Sequence, residues 1–371
     1  MLRLFFFNKE FGDKMVYPLI ALFLGTGNQT ASVPCSIVER LFNDPNMKLW
    51  DYDSTTLLPN LPTMYTFDHL HQFYTKWGES LADKGVEIRT RHEVRKVVSR
   101  SDKGVRLQIC NLETETDTEE VFDEMILCTL ADESLRILGT EASWRESFVL
   151  KGAAFYDDTT VTHSDKEYFE RQYETQFHPD LCAEPTNDSQ RQQIRFAKDT
   201  ESESKGFRPM YFTRTYEENP RLIEMSFNCS HYQHQLAAAN AKPDRALEPV
   251  YQTIFLDKRK KHLWTIGEIE EQKIIRQDWW HQLGHRWQHY LRVVPGMMFL
   301  NGKNHTLFAG SWTLVNMHEV ACVSGIAAAY RLGAEYSEFD DFATDFFAKY
   351  LLLSHGISYK REQRKRHSRR A

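Results

Sequence analysis

The sequence predicts a mixed α/β chain of two domains, and three observations predict it. At 371 residues the chain is long enough for about two hydrophobic cores. Met125–Leu130, "MILCTL", is a short apolar run with no polar face, the pattern of a strand covered on both sides as in a parallel sheet. Near the other end, a short apolar segment over Thr306–Ala309 runs into Gly310 and then a long helical stretch, and open α/β sheets place their ligands at such strand ends.

Composition narrows the class. Hydrophobic residues at 41% and charged residues at 26% give a soluble profile, and no apolar run approaches the roughly 20 residues that span a bilayer. The opening "MLRLFFFNKE" meets Lys9 and Glu10 too soon for a secretory leader, so a cytoplasmic protein is expected. Cys35, Cys110, Cys128, Cys182, Cys229 and Cys322 lie far apart with no Cys-x-x-Cys, which argues against a zinc knuckle or a disulfide framework and for mostly buried free thiols. Lys360–Ala371 holds seven Lys or Arg and one Glu, so the rest of the chain is more acidic than the net charge of −6. Such a tail is expected to be a solvated terminus, and nucleic acid is not expected as a ligand.

Along the chain, "LIALFLGTGNQTA" is the first test. Leu19–Leu24 reads as a buried strand, Ser36–Phe42 as a helix and "MKLWDYD", ending at Asp51 and Asp53, as a second strand, the outline of a nucleotide-binding βαβ unit. That unit needs a third small residue three positions after the second glycine; Thr30 stands there and Pro34 interrupts the next turn, so Gly25 and Gly27 are expected to form a plain turn. Residues 86–131 read as strand-rich, with "VEIRT", "VRKVVS" and "VRLQIC" as strands, "SDKG" as a turn and a helix starting at Asp132. From 159 to 208 apolar density falls, and 183–207 reads as a long, solvated, mobile insertion. "MYFTRTY" and "LIEMSFNCSHYQ" restore strand character, and Thr265 with Glu268 suggests a capping box on a following helix. In "WWHQLGHRWQHYL", His281, His285 and His289 share one face if the segment is helical. Two imidazoles one turn apart can share a metal, but the three tryptophans and the shortage of further ligands favour a packed or cavity-lining histidine row, and no metal is expected.

The chemistry is expected in Asn304–Tyr336. Asn316 and Glu319 form an Asn-x-x-Glu capping pattern, which predicts a helix from Met317 to Leu332 with Gly333 as its stop. Ala321, Gly325 and Ala328 fall at i, i+4 and i+7, a stripe with almost no side chain. Either this face lies against a planar cofactor, with the N–H groups of Met317–Glu319 aimed at an oxygen carrying negative charge, or it packs tightly on a sheet. Residue pattern alone leaves both open.

The segment "FAGSWTLVNMHEVACVSGIAAAYRLG" resembles the closing flavin-binding motif of the flavin-containing amine oxidoreductase superfamily, and its Asn-x-His-Glu variant is most similar to a fungal group of amine-oxidase-like flavoproteins and their bacterial relatives. The likeness extends over most of the chain. "VEIRTRHEVRKVV" resembles the strand pair whose valine, here Val94, meets the adenine; "FDEMILCTLADESLRILG", with Thr129, resembles the strand and turn near the phosphates; "TVTHSD" and "SFNCSHYQ" resemble substrate-domain segments. The resemblance implies an FAD/NAD(P)-binding-type two-domain fold with interleaved segments: 1–84 substrate domain, 85–140 FAD domain, 141–294 substrate domain, 295–335 closing FAD segment, and 336–371 C-terminal helix and tail. It places the Gly-x-Gly-x-x-Gly unit upstream of residue 1, so the fold is expected to be N-terminally incomplete, with weakened flavin affinity and an exposed sheet edge. It implies FAD contacts at Val94, Thr129, Gly310, Ser311, His318, Glu319, Val320 and Gly325, with Trp312, Asn316 and His318 nearest the reacting ring. His318 is then expected to order substrate, tune the ring or bond a neighbouring carbonyl. The implied activity is FAD-dependent hydride removal from a C–H bond of a small amine or a lipid- or polyene-like substrate; the alternative is a catalytically silent, truncated relative that acts as a folded binding protein.

Overall fold

A computed structural model of the chain describes residues 4, 6–24, 28–43, 65, 67–198, 208–233, 235–236, 248–337 and 339–359. Among them the strands are β1 (His92–Ser101), β2 (Gly104–Asn111), β3 (Thr116–Phe122), β4 (Met125–Leu127), β5 (Phe155–His163), β6 (Tyr211–Thr215), β7 (Ile223–Asn228), β8 (Tyr251–Phe255), β9 (Ile274–Leu283) and β10 (Thr306–Phe308). Helix and sheet are mixed, and the chain folds as two compact units: Met1–Glu79 with Phe155–Gly284, and Ser80–Ala154 with His285–Ala371. The unit boundaries fall at 79/80, 154/155 and 284/285.

The first unit is built on an antiparallel sheet in the order β6-β7-β8-β5-β9. Its inner strands are buried on both faces, because each face is covered. Val161, Tyr251 and Phe255 point one way, against Tyr168 and Phe169 of the Lys166–Gln172 helix; Ile223, Met225 and Ile254 point the other way, against Ala21 of the Tyr17–Leu24 helix. Asp165 starts the first of these helices by accepting from the Tyr168 N–H, and its other oxygen accepts from the Glu270 N–H. Glu224, fully buried, accepts from Arg214 at 3.0 Å and from both the N–H and the hydroxyl of Thr265. Since the Thr265 proton goes to Glu224, Tyr168 must donate its hydroxyl to Thr265 Oγ1.

Several expectations change in this unit. Leu19–Leu24 lies in the Tyr17–Leu24 helix and is not a strand; a six-residue run of Leu, Ala, Ile and Phe has no period that separates the two, and Leu and Ala favour helix. Cys35–Asn43 is helical as read, whereas Gly25, Gly27, Asp51 and Asp53 lie outside the described residues. The 183–207 segment contains a helix, Asp188–Lys198, and its part from 199 lies outside the described residues. Thr265 caps no helix: its side chain is held by Glu224, and a single 3₁₀ turn, Ile266–Glu268, follows. The histidine row dissolves as well. His281 lies on β9, while His285 and His289 belong to the second unit, so no shared helical face exists. Among the described residues no group of three or more metal-binding side chains converges, and no helix is long and apolar enough to cross a membrane. All six cysteines are free thiols, but Cys35, Cys128 and Cys322 are exposed, against the expectation that most are buried.

The second unit holds the antiparallel sheet β1-β2-β3 and the parallel pair β4–β10. Between β1 and β2 the chain turns at Gly104, whose φ of +101° only glycine adopts readily and where a Cβ would strike the Phe122 carbonyl oxygen. "VEIRT" contributes no strand, and the polar edge strand β3, "TDTEEVF", was not expected. The parallel pair is the buried centre, with Thr306, Leu307 and Phe308 beside Met125, Ile126 and Leu127. On its β10 side the edge is closed by protein: the Asn301 side chain accepts the Phe308 N–H and the Gly302 N–H donates to the Thr306 carbonyl. Arg100 of β1 ties the unit together. Its guanidinium forks onto Glu146 at 2.6 and 2.8 Å, donates to Thr306 Oγ1, and also reaches the Glu141 carbonyl. Glu146 in turn closes a capping box with Ser143 on the Trp144–Leu150 helix.

Candidate functional site

β10 ends at Phe308 and the chain then breaks direction. Gly310 has φ +141°, and a Cβ there would sit 2.9 Å from the Trp312 ring, so glycine is required by both backbone and packing. Its N–H is taken by the Ser324 hydroxyl, its carbonyl by Thr313, and Thr313 accepts from Tyr350. The loop is fixed again by His289, whose Nε2 donates to the Leu314 carbonyl at 3.2 Å. Burial pushes the His289 imidazole down to about 4, and burial together with His289 pushes buried His285 to about 3, so both are neutral at physiological pH. Among the described residues His285 Nε2 and His289 Nδ1 have no hydrogen-bond partner.

After this loop the His318–Arg331 helix begins, one residue from the expected start, and Gly333 at φ +99° lies just beyond its end. Its start differs from the expectation. Asn316 does not cap it, because the Asn316 carbonyl oxygen is held by the Ser311 hydroxyl at 2.9 Å. Met317 is the cap residue and contributes no side-chain bond. The Met317 N–H is itself bonded to the Val315 carbonyl, so the donors left at the helix start are those of His318, Glu319 and Val320.

The helix has two unlike sides. Val320, Val323 and Ala327 pack on Phe347, Tyr350 and Leu351, and Ser324 and Ala328 are also buried. On the other side, His318, Cys322, Gly325 and Ala329 are half-buried or exposed, and among the described residues a Cβ built on Gly325 meets no atom within 4 Å. The expected stripe is therefore split: Ala328 turns into the core, and Gly325 shares the open side with Cys322 and Ala329. His318 Nδ1 lies 3.6 Å from Cys322 Sγ, a contact that the i, i+4 spacing on the helix makes possible. Burial, and then Glu319, raise the Cys322 thiol above its ordinary value, so its surroundings do not favour the thiolate.

The remaining expected residues fall as follows. Trp312 is buried, and its indole N–H donates to the Thr129 carbonyl at 3.0 Å, joining the end of β10 to the turn after β4. Thr129 is exposed and its hydroxyl bonds Ser134. Val94 is half-buried on β1 opposite Ile109, beside a bulge. Val320 has its side chain in the core and its N–H at the helix start, and Glu319 is exposed. Gly310, Ser311, Trp312 and Asn316 thus lie in one loop, tied through Gly310 to Ser324 and through Leu314 to His289, and His318 opens the helix that follows. Ser324 was not singled out in the sequence, although a serine inside a run of small helical residues is a signal for such a bond.

No family model matches this sequence, and no curated protein matches it. One solved structure with some likeness is the substrate-free form of the rebeccamycin biosynthetic enzyme RebC, at TM-score 0.31 and 12% identity, over 69% of this chain and 41% of that chain. The chain thus spans less than half the length of that structure, and a likeness at this level leaves function to be argued from the residues.

Proposed function

We propose that the chain is an FAD-dependent oxidoreductase of the amine-oxidase type, with the isoalloxazine ring on the open side of the His318–Arg331 helix. The observation that carries this reading is the empty space before Gly325. A small-residue face kept for tight packing would be filled by protein, as Ala327 and Ala328 are; the Gly325 side is not. Three backbone donors at the helix start suit a ligand oxygen bearing negative charge. Gly310, Ser311, Glu319 and Val320 would border the ring, with Val94 and Thr129 on the nucleotide part.

When bound, FAD supplies the hydride acceptor, and the protein binds and orients the C–H donor of a small amine or a lipid- or polyene-like molecule. His318 and Asn316 are exposed at the helix start and are the residues proposed to order that donor, while buried Trp312 holds the wall in shape. The test is direct titration of the purified chain with FAD, followed by flavin fluorescence. Saturable quenching that Gly325→Leu removes supports the reading; an unquenched titration with a folded chain overturns it and leaves a flavin-free binding protein.

A further inference from the structure

We propose that Arg331 and His355 form a phosphate-binding site, which takes inorganic phosphate or the phosphate group of a small ester. The site lies where three pieces of the second unit meet: the last turn of the His318–Arg331 helix, the last turn of the C-terminal helix Asp341–His355, and the Asn301–Gly302 corner ahead of β10. The Asn301 side chain donates to the Ser354 carbonyl at 2.8 Å, which sets His355 beside that corner. A Cβ on Gly302, whose φ is +78°, would stand 2.5 Å from Arg331 Nη2, so the guanidinium lies against the same corner. At 1.5 Å per residue the helix places Arg331 about 20 Å from His318, so this site is separate from the one proposed for flavin.

Both groups lack partners. Arg331 Nε and both ring nitrogens of His355 are shielded from solvent and have no hydrogen-bond partner among the described residues, and no described carboxylate pairs with Arg331. His355 is only 4% exposed, whereas Arg331 is half-buried, so a solute can approach from the arginine side. An arginine cannot shed its charge, and charges drawn out of water are ordinarily paired. Burial, and then the Arg331 charge, push the His355 imidazole down to about 4, so it stands neutral with one N–H to donate.

Cations in a last helical turn often serve the helix's own end carbonyls, and here that use is closed. The Ala328, Ala329 and Tyr330 carbonyls accept from the N–H groups of Leu332, Gly333 and Ala334. Leu351 and Leu352 accept from Gly356 and Ile357, and Ser354 from Asn301. The donors of Arg331 and His355 are therefore left for an acceptor from outside. A guanidinium fork occupies two oxygens of an oxyanion, which uses up a carboxylate, while a phosphate keeps a further oxygen for the imidazole N–H.

The test is a titration of the full chain with inorganic phosphate and with glycerol phosphate, in the absence of flavin, read by the thermal midpoint and by calorimetry. A saturable rise in the midpoint is expected, since a ligand that binds only the folded chain stabilises it. Equal affinities assign free phosphate, and a tighter ester assigns the ester. Arg331→Gln is expected to weaken binding at least tenfold, while the midpoint without phosphate stays level or rises because an unpaired charge has gone. His355→Gln is expected to weaken binding by a smaller factor. Absence of any saturable response in the unsubstituted chain overturns the proposal. So does an equal response to acetate at matched ionic strength, or an Arg331→Gln chain that responds to phosphate as the unsubstituted one does.

Discussion

Two helix starts in the second unit are built in opposite ways. The Trp144–Leu150 helix is closed by protein: Ser143 accepts the Glu146 N–H, Glu146 reaches back to the Ser143 N–H, and Arg100 holds the same carboxylate from behind. The His318–Arg331 helix has a cap residue with no side-chain bond, a neighbouring asparagine engaged elsewhere, and an open flank at Gly325. Every helix start presents unpaired donors, and side chains take them up at the first start and not at the second. The loop before the open start is nonetheless rigidly tied, through Ser324, Tyr350 and His289.

Breaking the closed start has the largest effect. Arg100→Met leaves the Glu146 carboxylate buried without its counter-charge and should cost about 3–5 kcal/mol in urea unfolding. Burial pushes the Glu146 carboxyl up, but the Arg100 and Ser143 bonds outweigh it and hold the group below its ordinary 4.5. A depressed folded value means that this contribution is full above pH 4.5 and is lost as pH falls further. A variant with unchanged stability would show the knot at Arg100 to be unimportant.

The loop beside the open start sharpens the comparison through pH. His285 and His289 are held neutral, at about 3 and 4 against the ordinary 6.5. Below pH 6.5 the unfolded chain takes up protons that the folded chain refuses, so stability falls on acidification until about pH 4 for His289 and about pH 3 for His285. Each histidine contributes a slope of up to about 1.4 kcal/mol per pH unit. His289→Gln should flatten the unfolding profile between pH 4 and 6.5, and a profile as steep as before would contradict the assignment. Ser143→Ala is smaller still, about 1 kcal/mol, because it removes one cap bond and leaves the Arg100–Glu146 pair in place.

Legibility in the sequence follows the range of the interaction. The strand, glycine and helix from Thr306 to Gly333 are local, and each was readable: β-pattern, forced turn, helical run and stop. So were β1, β2, β6 and β7. What failed was decided at a distance or by a competing bond. β9 exists because β5 pairs with it, and nothing local in "WWHQL" separates a strand from a helical face through His281. Asn316 has the right spacing to Glu319, but the Ser311 hydroxyl claims it. Thr265 is withdrawn from capping by Glu224, 41 residues away. Arg100 and Glu146 carry no motif at all, since a single ion pair across 46 residues leaves no periodic trace.

The open flank gives the sharpest separation of stability from binding. Gly325 is inside a helix, where glycine costs about 1 kcal/mol relative to a good helix former, and nothing within 4 Å opposes a side chain there. Gly325→Leu should therefore leave the thermal midpoint unchanged or raise it slightly. The same substitution fills the space assigned to the flavin ring and should abolish FAD quenching. A glycine kept for packing gives the reverse: a leucine would then clash and unfold the chain while saying nothing of a ligand. Midpoint and flavin titration measured on one sample thus read the two possibilities in opposite directions, and a stable variant that still quenches flavin removes the ring from this face.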